Sequence, residues 1–285
     1  MNVFFFITLS LLTLGCVEHS NSPKSSVETD VQTSTYKIQN PEGQTIKSRF
    51  PIPPGFNRTE SASNSFGAFL RALPLKAVNS PVKLYNGIDK VNQSAHLAVV
   101  DLEIGKKDLH QCADAVMRLR ADYLRSVGKE DEIHFNFTNG MQVDYAKWKE
   151  GKRIKIDGNR TYWIDKHPPS NSPESYWSYL EQIFIYAGTL SLSKELSQKP
   201  LEDLNIGDVF IQGGSPGHAV IVVDLILNQS NGEKKFMLAQ SYMPAQEIHI
   251  LKASEEEGSP WFSLPKDGIL NTPEWTFYSS DLKSF

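Results

Sequence analysis

Cysteine is nearly absent from this chain. Its 285 residues contain two, Cys16 and Cys112. That excludes a disulfide scaffold and leaves each thiol to be explained separately. A surplus of either charge is also missing, with a formal net charge of -4 and a pI near 6.0. No basic run with interleaved aromatics stands in the sequence, so it offers no electrostatic footprint for nucleic acid. It has no GxGxxG and no P-loop pattern, and nothing supports nucleotide binding. It has no HExxH, and His96, His134 and His167 show no comparable metal-ligand spacing. Neither a metal nor an organic cofactor is expected. What remains is an ordinary globular composition, 40% hydrophobic and 22% charged.

The first residues differ in kind from the rest. Residues 3–14 are an apolar stretch of about a dozen residues, too short to cross a bilayer core of roughly 30 Å. The stretch ends in Leu12-Thr13-Leu14-Gly15-Cys16. This resembles the lipobox of bacterial lipoprotein signal peptides, in which small residues precede a cysteine that is lipidated and becomes the mature N-terminus. The resemblance implies a signal peptide over 1–15, lipid on Cys16 and a membrane-anchored protein of the bacterial cell envelope. An ordinary secretory signal with a chance cysteine is the alternative, and Met1-Asn2 brings no Lys or Arg to the n-region. Residues 16–35 are rich in Ser and Thr and poor in large apolar side chains, which reads as a disordered tether.

Residues 36–285 read as a single α+β domain, because helical and strand patterns mix without regular βαβ alternation. Phe66, Phe69, Leu70 and Leu73 have helical spacing that Pro74 stops. Residues 96–104 form a strand candidate. A long helix runs to about Ser126, with Asp108 as its expected cap and Gly128 as its stop. A second helical region covers 173–196, with a break expected at Gly188-Thr189. Strands follow at 209–211, 219–227, 236–239 and 248–251. The expected architecture is an antiparallel, partly barrel-like sheet with two long helices.

The most informative stretch is 204–246. Gly207-Asp208 leads into an apolar strand, and a Gly/Pro turn delivers His218 to the mouth of a second one. At such an edge a histidine lies between core and solvent, where it suits acid–base work or simply caps a loop carbonyl. The order Gly207-Asp208-Val209-Phe210-Ile211, then Gly217-His218-Ala219-Val220-Ile221-Val222, then Leu238-Ala239-Gln240-Ser241 resembles the NlpC/P60 and related amidases of the papain-like superfamily. The resemblance implies a papain-like half-site, with His218 as base and Gln240 holding the imidazole. It further implies a cysteine at the start of a helix, which Cys112 supplies, although the helix directly before the Gly-Asp strand has none. A two-residue hairpin at Asn231-Gly232 would set Gln240 opposite Val223, on the wrong face for His218. The pairing therefore requires a one-residue bulge or a longer loop. Asp224 is the second candidate to orient the histidine. His110, close to Cys112, is an alternative partner for the thiol but is expected to face solvent, and His249 is expected to point outward or into a groove. Arg120 lies within the apolar stripe of its helix, where it suits an internal carboxylate. Trp163, Trp177 and the C-terminal aromatics read as core rather than as a glycan groove.

The segments 50–58 (FPIPPGFNR), 109–124, 216–224, 238–251 and 272–275 (TPEW) resemble domain of unknown function 4846. That family implies one domain and no activity. Two functions stay open. One is an envelope thiol amidase or peptidase, using Cys112, His218 and Gln240 on peptidoglycan or another peptide substrate. The other is a non-catalytic envelope module that binds in the same cleft.

Overall fold

The computed structural model describes residues 39–253 and 258–285, which lie within one compact unit spanning Tyr36–Phe285. The signal peptide, the lipidated Cys16 and the tether expected from the sequence lie outside the described residues.

One strand organises the fold. His218–Asn228 is eleven residues long and buried from His218 through Ile226. A strand covered on both faces is apolar throughout instead of alternating, and VIVVDLIL has that character. On one side it pairs antiparallel with Val209–Gln212, where Gln212 faces His218. On the other it pairs antiparallel with Lys234–Gln240. The sheet continues outward through His249–Leu251 to His96–Val99, and in the opposite direction through Leu282–Ser284 to Ser197–Gln198. Two short strands add to it, Phe56–Arg58 at the far end of the central strand and Phe262–Ser263 beside Lys234–Gln240. The sheet is antiparallel and open.

The two sheet faces bury different parts of the chain. Ala219, Ile221 and Val223 face a core shared with the helices, while Val220, Val222 and Leu225 face Phe236, Phe262 and Phe277 from the C-terminal half. The helix Cys112–Ser126 packs on the first face through Ala113, Val116 and Leu119. Asp108 does not cap this helix. Its carboxylate accepts from the backbone N–H of Ala245 (2.7 Å) and from Gln111 Nε2 (3.2 Å). The cap is Gln111, whose backbone N–H donates to Asp114 Oδ2 at 3.0 Å. The helix therefore begins at Cys112, and a φ of +73° at Gly128 lies just beyond its end. The second helical region does divide, into Pro173–Tyr186 and Thr189–Glu195.

The hairpin after the central strand is wider than a two-residue turn, because Asn228 N–H bonds to Glu233 O across it. Further along, Met237 pairs with Asp224 but Leu238 pairs with Val222, so Val223 is an extra residue in the central strand. Asp224 stands beside this bulge with a fully buried side chain. It accepts from Arg58 Nε at 2.7 Å, from Arg71 Nε at 2.6 Å and from the N–H of Leu225. It is a structural anion at the far end of the strand from His218 and does not orient that ring. Asp224→Ala leaves two largely buried guanidinium groups without their counter-ion. An expected loss of about 3–5 kcal/mol in unfolding free energy follows, read from urea midpoints. A loss under about 1 kcal/mol, the size for an exposed pair, would overturn this assignment.

Candidate active site

Two of the three side chains foreseen in the sequence, His218 and Gln240, meet at one end of the sheet, while Cys112 lies on the helix that packs against the other face of the central strand, near the backbone of Ala219. Cys112 is the first residue of its helix, where backbone N–H groups have no partner within the helix. Its sulfur faces the backbone N–H of Ala219, the residue after His218. His218 opens the central strand, and its Nε2 is 2.7 Å from Gln240 Oε1. Gln240 closes the neighbouring strand. The bulge at Val223 makes this contact possible. Ala239 pairs with Ile221, so Gln240 stands beside Val220 and shares a face with His218. Gly217 lets the loop approach closely, since a Cβ there would lie 2.5 Å from Thr189 Oγ1 and 2.6 Å from Gly214 O.

The imidazole is packed on several sides. Tyr242, Trp275 and Phe277 have ring centroids 4.7, 5.3 and 5.8 Å from it. Trp275 is fixed in turn by donating from Nε1 to Gln212 Oε1 at 2.9 Å. A cleft of about 210 Å³ opens over Cys112, walled by residues 111–114, 187–189 and 214–217 and by Met243. A larger cavity of about 800 Å³ lies beside Arg58 and Arg71. Much of the donor capacity of those arginines is taken by Asp224 and main-chain carbonyls, and neither a cysteine nor a histidine is among the residues that line it.

Burial governs the protonation states. His218 is 1% exposed and Cys112 7%. Desolvation pulls the imidazole down to about 4. It pushes the thiol up to about 11, with Asp114 adding to the effect, while N–H groups of Ala113 and Ala219 oppose it. At neutral pH the pair therefore rests as neutral thiol and neutral imidazole. Asp114 is itself raised well above the usual carboxyl range by burial. Tyr242 is raised by burial first, then by Glu274 and by Cys112, which places all of them in one neighbourhood.

Two histidines lie where the sequence did not place them. His110 is fully buried, edge-on to Phe184 at 5.6 Å, and does not face solvent. His249 is fully buried within the sheet, with Nδ1 on Glu247 O at 2.9 Å and Nε2 at 3.2 Å from Gln240 Nε2. Among the described residues no carboxylate pairs with Arg120. Its guanidinium lies over Phe66, Tyr123 and Phe285. Sequence reasoning missed Glu274, Lys90 and Tyr242. Glu274 accepts from Gln240 Nε2 at 2.7 Å and pairs with Lys90. Only the TPEW segment marked it, and nothing marked Lys90. Among the described residues, no group of three or more His, Cys, Asp or Glu side chains could hold a metal ion.

The family described as a domain of unknown function (4846) matches residues 46–284, which include every segment of the resemblance drawn above. No curated protein and no solved structure matches the chain.

Two outcomes follow from these protonation states. Alkylation of Cys112 by iodoacetamide should be slow at pH 7 and rise about tenfold per pH unit up to pH 10, because only thiolate reacts. Mass spectrometry reads this, and a rate plateau between pH 5 and 8 would instead reveal a preformed thiolate–imidazolium pair. The second outcome concerns His110, which burial pulls down to about 3. Its unfolded value lies near 6.5, so the folded form disfavours its protonation and stability is lost as pH falls below 6.5. Between pH 6.5 and 4.5 the wild type should lose about 2 kcal/mol more than His110→Phe, since each full unit below the unfolded value is worth about 1.36 kcal/mol. Parallel urea curves for the two proteins would refute this.

Proposed function

The chain belongs to the family of the domain of unknown function (4846), and from its site we propose that it is a papain-like thiol amidase or peptidase. Its substrate would be cell-wall peptide or another amide of the bacterial envelope, and lipid on Cys16 would hold it there. The observation that carries the reading is the placement of the Cys112 sulfur. It lies at a helix N-terminus near the backbone of Ala219, the residue after His218, and Nε2 of that histidine is tied to a buried amide.

The chemistry follows the neutral resting pair. His218 Nδ1 takes the thiol proton as sulfur attacks the amide carbon. The N–H groups of Cys112 and Ala113 at the helix start are the candidate donors to the resulting oxyanion. Imidazolium then protonates the departing amine, and a thioester remains on Cys112. Water, deprotonated by the same nitrogen, hydrolyses it and restores the thiol. Gln240 holds the ring throughout.

A second reading is a binding module that kept the cleft. The small cleft volume and the burial of both reacting groups favour it. Digestion of purified peptidoglycan separates the two. Release of peptides by wild type should fall at least 1000-fold in Cys112→Ser and His218→Ala, as when a nucleophile or its base is removed. Equal release by wild type and Cys112→Ser would refute the thiol mechanism. Binding of peptidoglycan with no release by any of the proteins would establish the module.

A further inference from the structure

We propose that Glu274 is a positioning residue of this site: together with His249 it locks the amide of Gln240 in one orientation, and so selects the tautomer of His218 that is protonated at Nε2 and has its lone pair on Nδ1. The functional consequence rests on the thiol mechanism above; the tautomer itself does not.

The argument is a count of hydrogens. Gln240 Nε2 has two. One goes to Glu274 Oε2 at 2.7 Å. The other goes to His249 Nε2 at 3.2 Å. His249 can only accept there. Its Nδ1 faces Glu247 O at 2.9 Å and must carry the ring proton, and the ring is neutral because burial pulls it well below the usual range. A neutral imidazole has one N–H and one lone pair, so the lone pair of His249 is on Nε2. Flipping Gln240 would set its carbonyl oxygen against both the Glu274 carboxylate and that lone pair. The amide therefore presents Oε1 to His218, 2.7 Å from Nε2. With an acceptor on that side, His218 Nε2 must be protonated. The neutral ring then has its lone pair on Nδ1, the nitrogen a proton must reach if Cys112 is to attack.

Glu274 is built to serve as a fixed acceptor. Its other oxygen accepts from Asn92 Nδ2 at 3.1 Å, and Lys90 holds the carboxylate as a counter-ion. The turn carrying it is closed by Thr272, whose hydroxyl donates to Trp275 O at 2.7 Å and accepts from Trp275 N–H at 3.1 Å. Trp275 covers the His218 ring at 5.3 Å. One four-residue segment thus both covers the imidazole and orients the amide that fixes it. A purely structural role would make Glu274 a partner for Lys90 and nothing more.

The test separates these roles. In protein labelled with ¹⁵N-histidine, the ring nitrogens of His218 are assigned by their loss in His218→Gln. The wild type should show protonated Nε2 and bare Nδ1. Lys90→Met alone removes the ion pair, keeps the acceptor and should keep this tautomer. Lys90→Met/Glu274→Leu removes both charges and the acceptor. It should mix the tautomers and lower kcat on peptidoglycan roughly 100-fold with KM unchanged. Glu274→Gln, which offers a donor as well as an acceptor, is the second variant in case the double one fails to fold, and it too should mix the tautomers. A protonated Nδ1 in the wild type overturns the proposal, as does an unmixed tautomer in the folded acceptor variants. Peptidoglycan left uncut by a wild type that shows the expected tautomer would sink the cell-wall form of the thiol mechanism and leave the lock standing.

Discussion

The site depends on one extra residue in one strand. Side chains alternate along a strand, so a shift of one residue exchanges the two faces. Without Val223 as a bulge, Gln240 would stand beside Ile221 and face the helical core. With it, Gln240 stands beside Val220 and meets His218. The bulge is held where it is by its neighbour. Asp224 turns its carboxylate onto the next N–H and onto two arginines from elements far earlier in the sequence. Such a buried cluster is weak as a source of net stability, because desolvating three charges offsets most of their attraction. Its consequence here is geometric: the carboxylate must sit between Arg58 and Arg71, and that fixes which residue of the strand is the extra one.

Because the two faces are covered by different parts of the chain, the site joins three layers. The thiol comes from the helix on the first face. The imidazole and the amide come from the sheet. Glu274 and Trp275 come from the segment that covers the second face. No short piece of the chain contains all of it, and the family match over 46–284 spans every contributor. Cys112 is more than a hundred residues from His218 in sequence, but the helix that begins with it lies along the central strand, with its N-terminus at the mouth of that strand.

Much of this was legible in residue order. The α+β class, the helix ending before Gly128, the break near Gly188 and the strands around His218 all follow from apolar periodicity and from Gly and Pro. The need for an irregular hairpin was legible too, since parity alone forbids a regular one from joining Gln240 to His218. Burial was not legible. His249 alternates with Ile248 and Ile250 like a residue on a wet face, but His96–Val99 adds beyond it and Gln240 takes its ring nitrogen. Asp108 resembles a cap by type and place, but the loop at Ala245 competes for its carboxylate. Glu274 and Lys90 could not be found by spacing, because a contact across 184 residues leaves no periodicity in the sequence.

The dryness of the site and the lock on Gln240 explain each other. Were Cys112 and His218 an ion pair at rest, the ring would carry both protons and its tautomer would be immaterial. Burial prevents that by raising the thiol and lowering the imidazole. In the proposed thiol mechanism a neutral ring can take the proton only on the nitrogen that has the lone pair, and a neutral imidazole with no constraint divides itself between two tautomers. The amide that settles the choice must itself be unable to turn. A glutamine amide bonded to His218 alone could offer either end, nitrogen or oxygen, and would settle nothing. A carboxylate on one side and a bare ring nitrogen on the other leave it a single orientation. A buried charge pair is costly to maintain in a core, and Lys90–Glu274 is the part of this cluster that gives the amide an acceptor that cannot also donate.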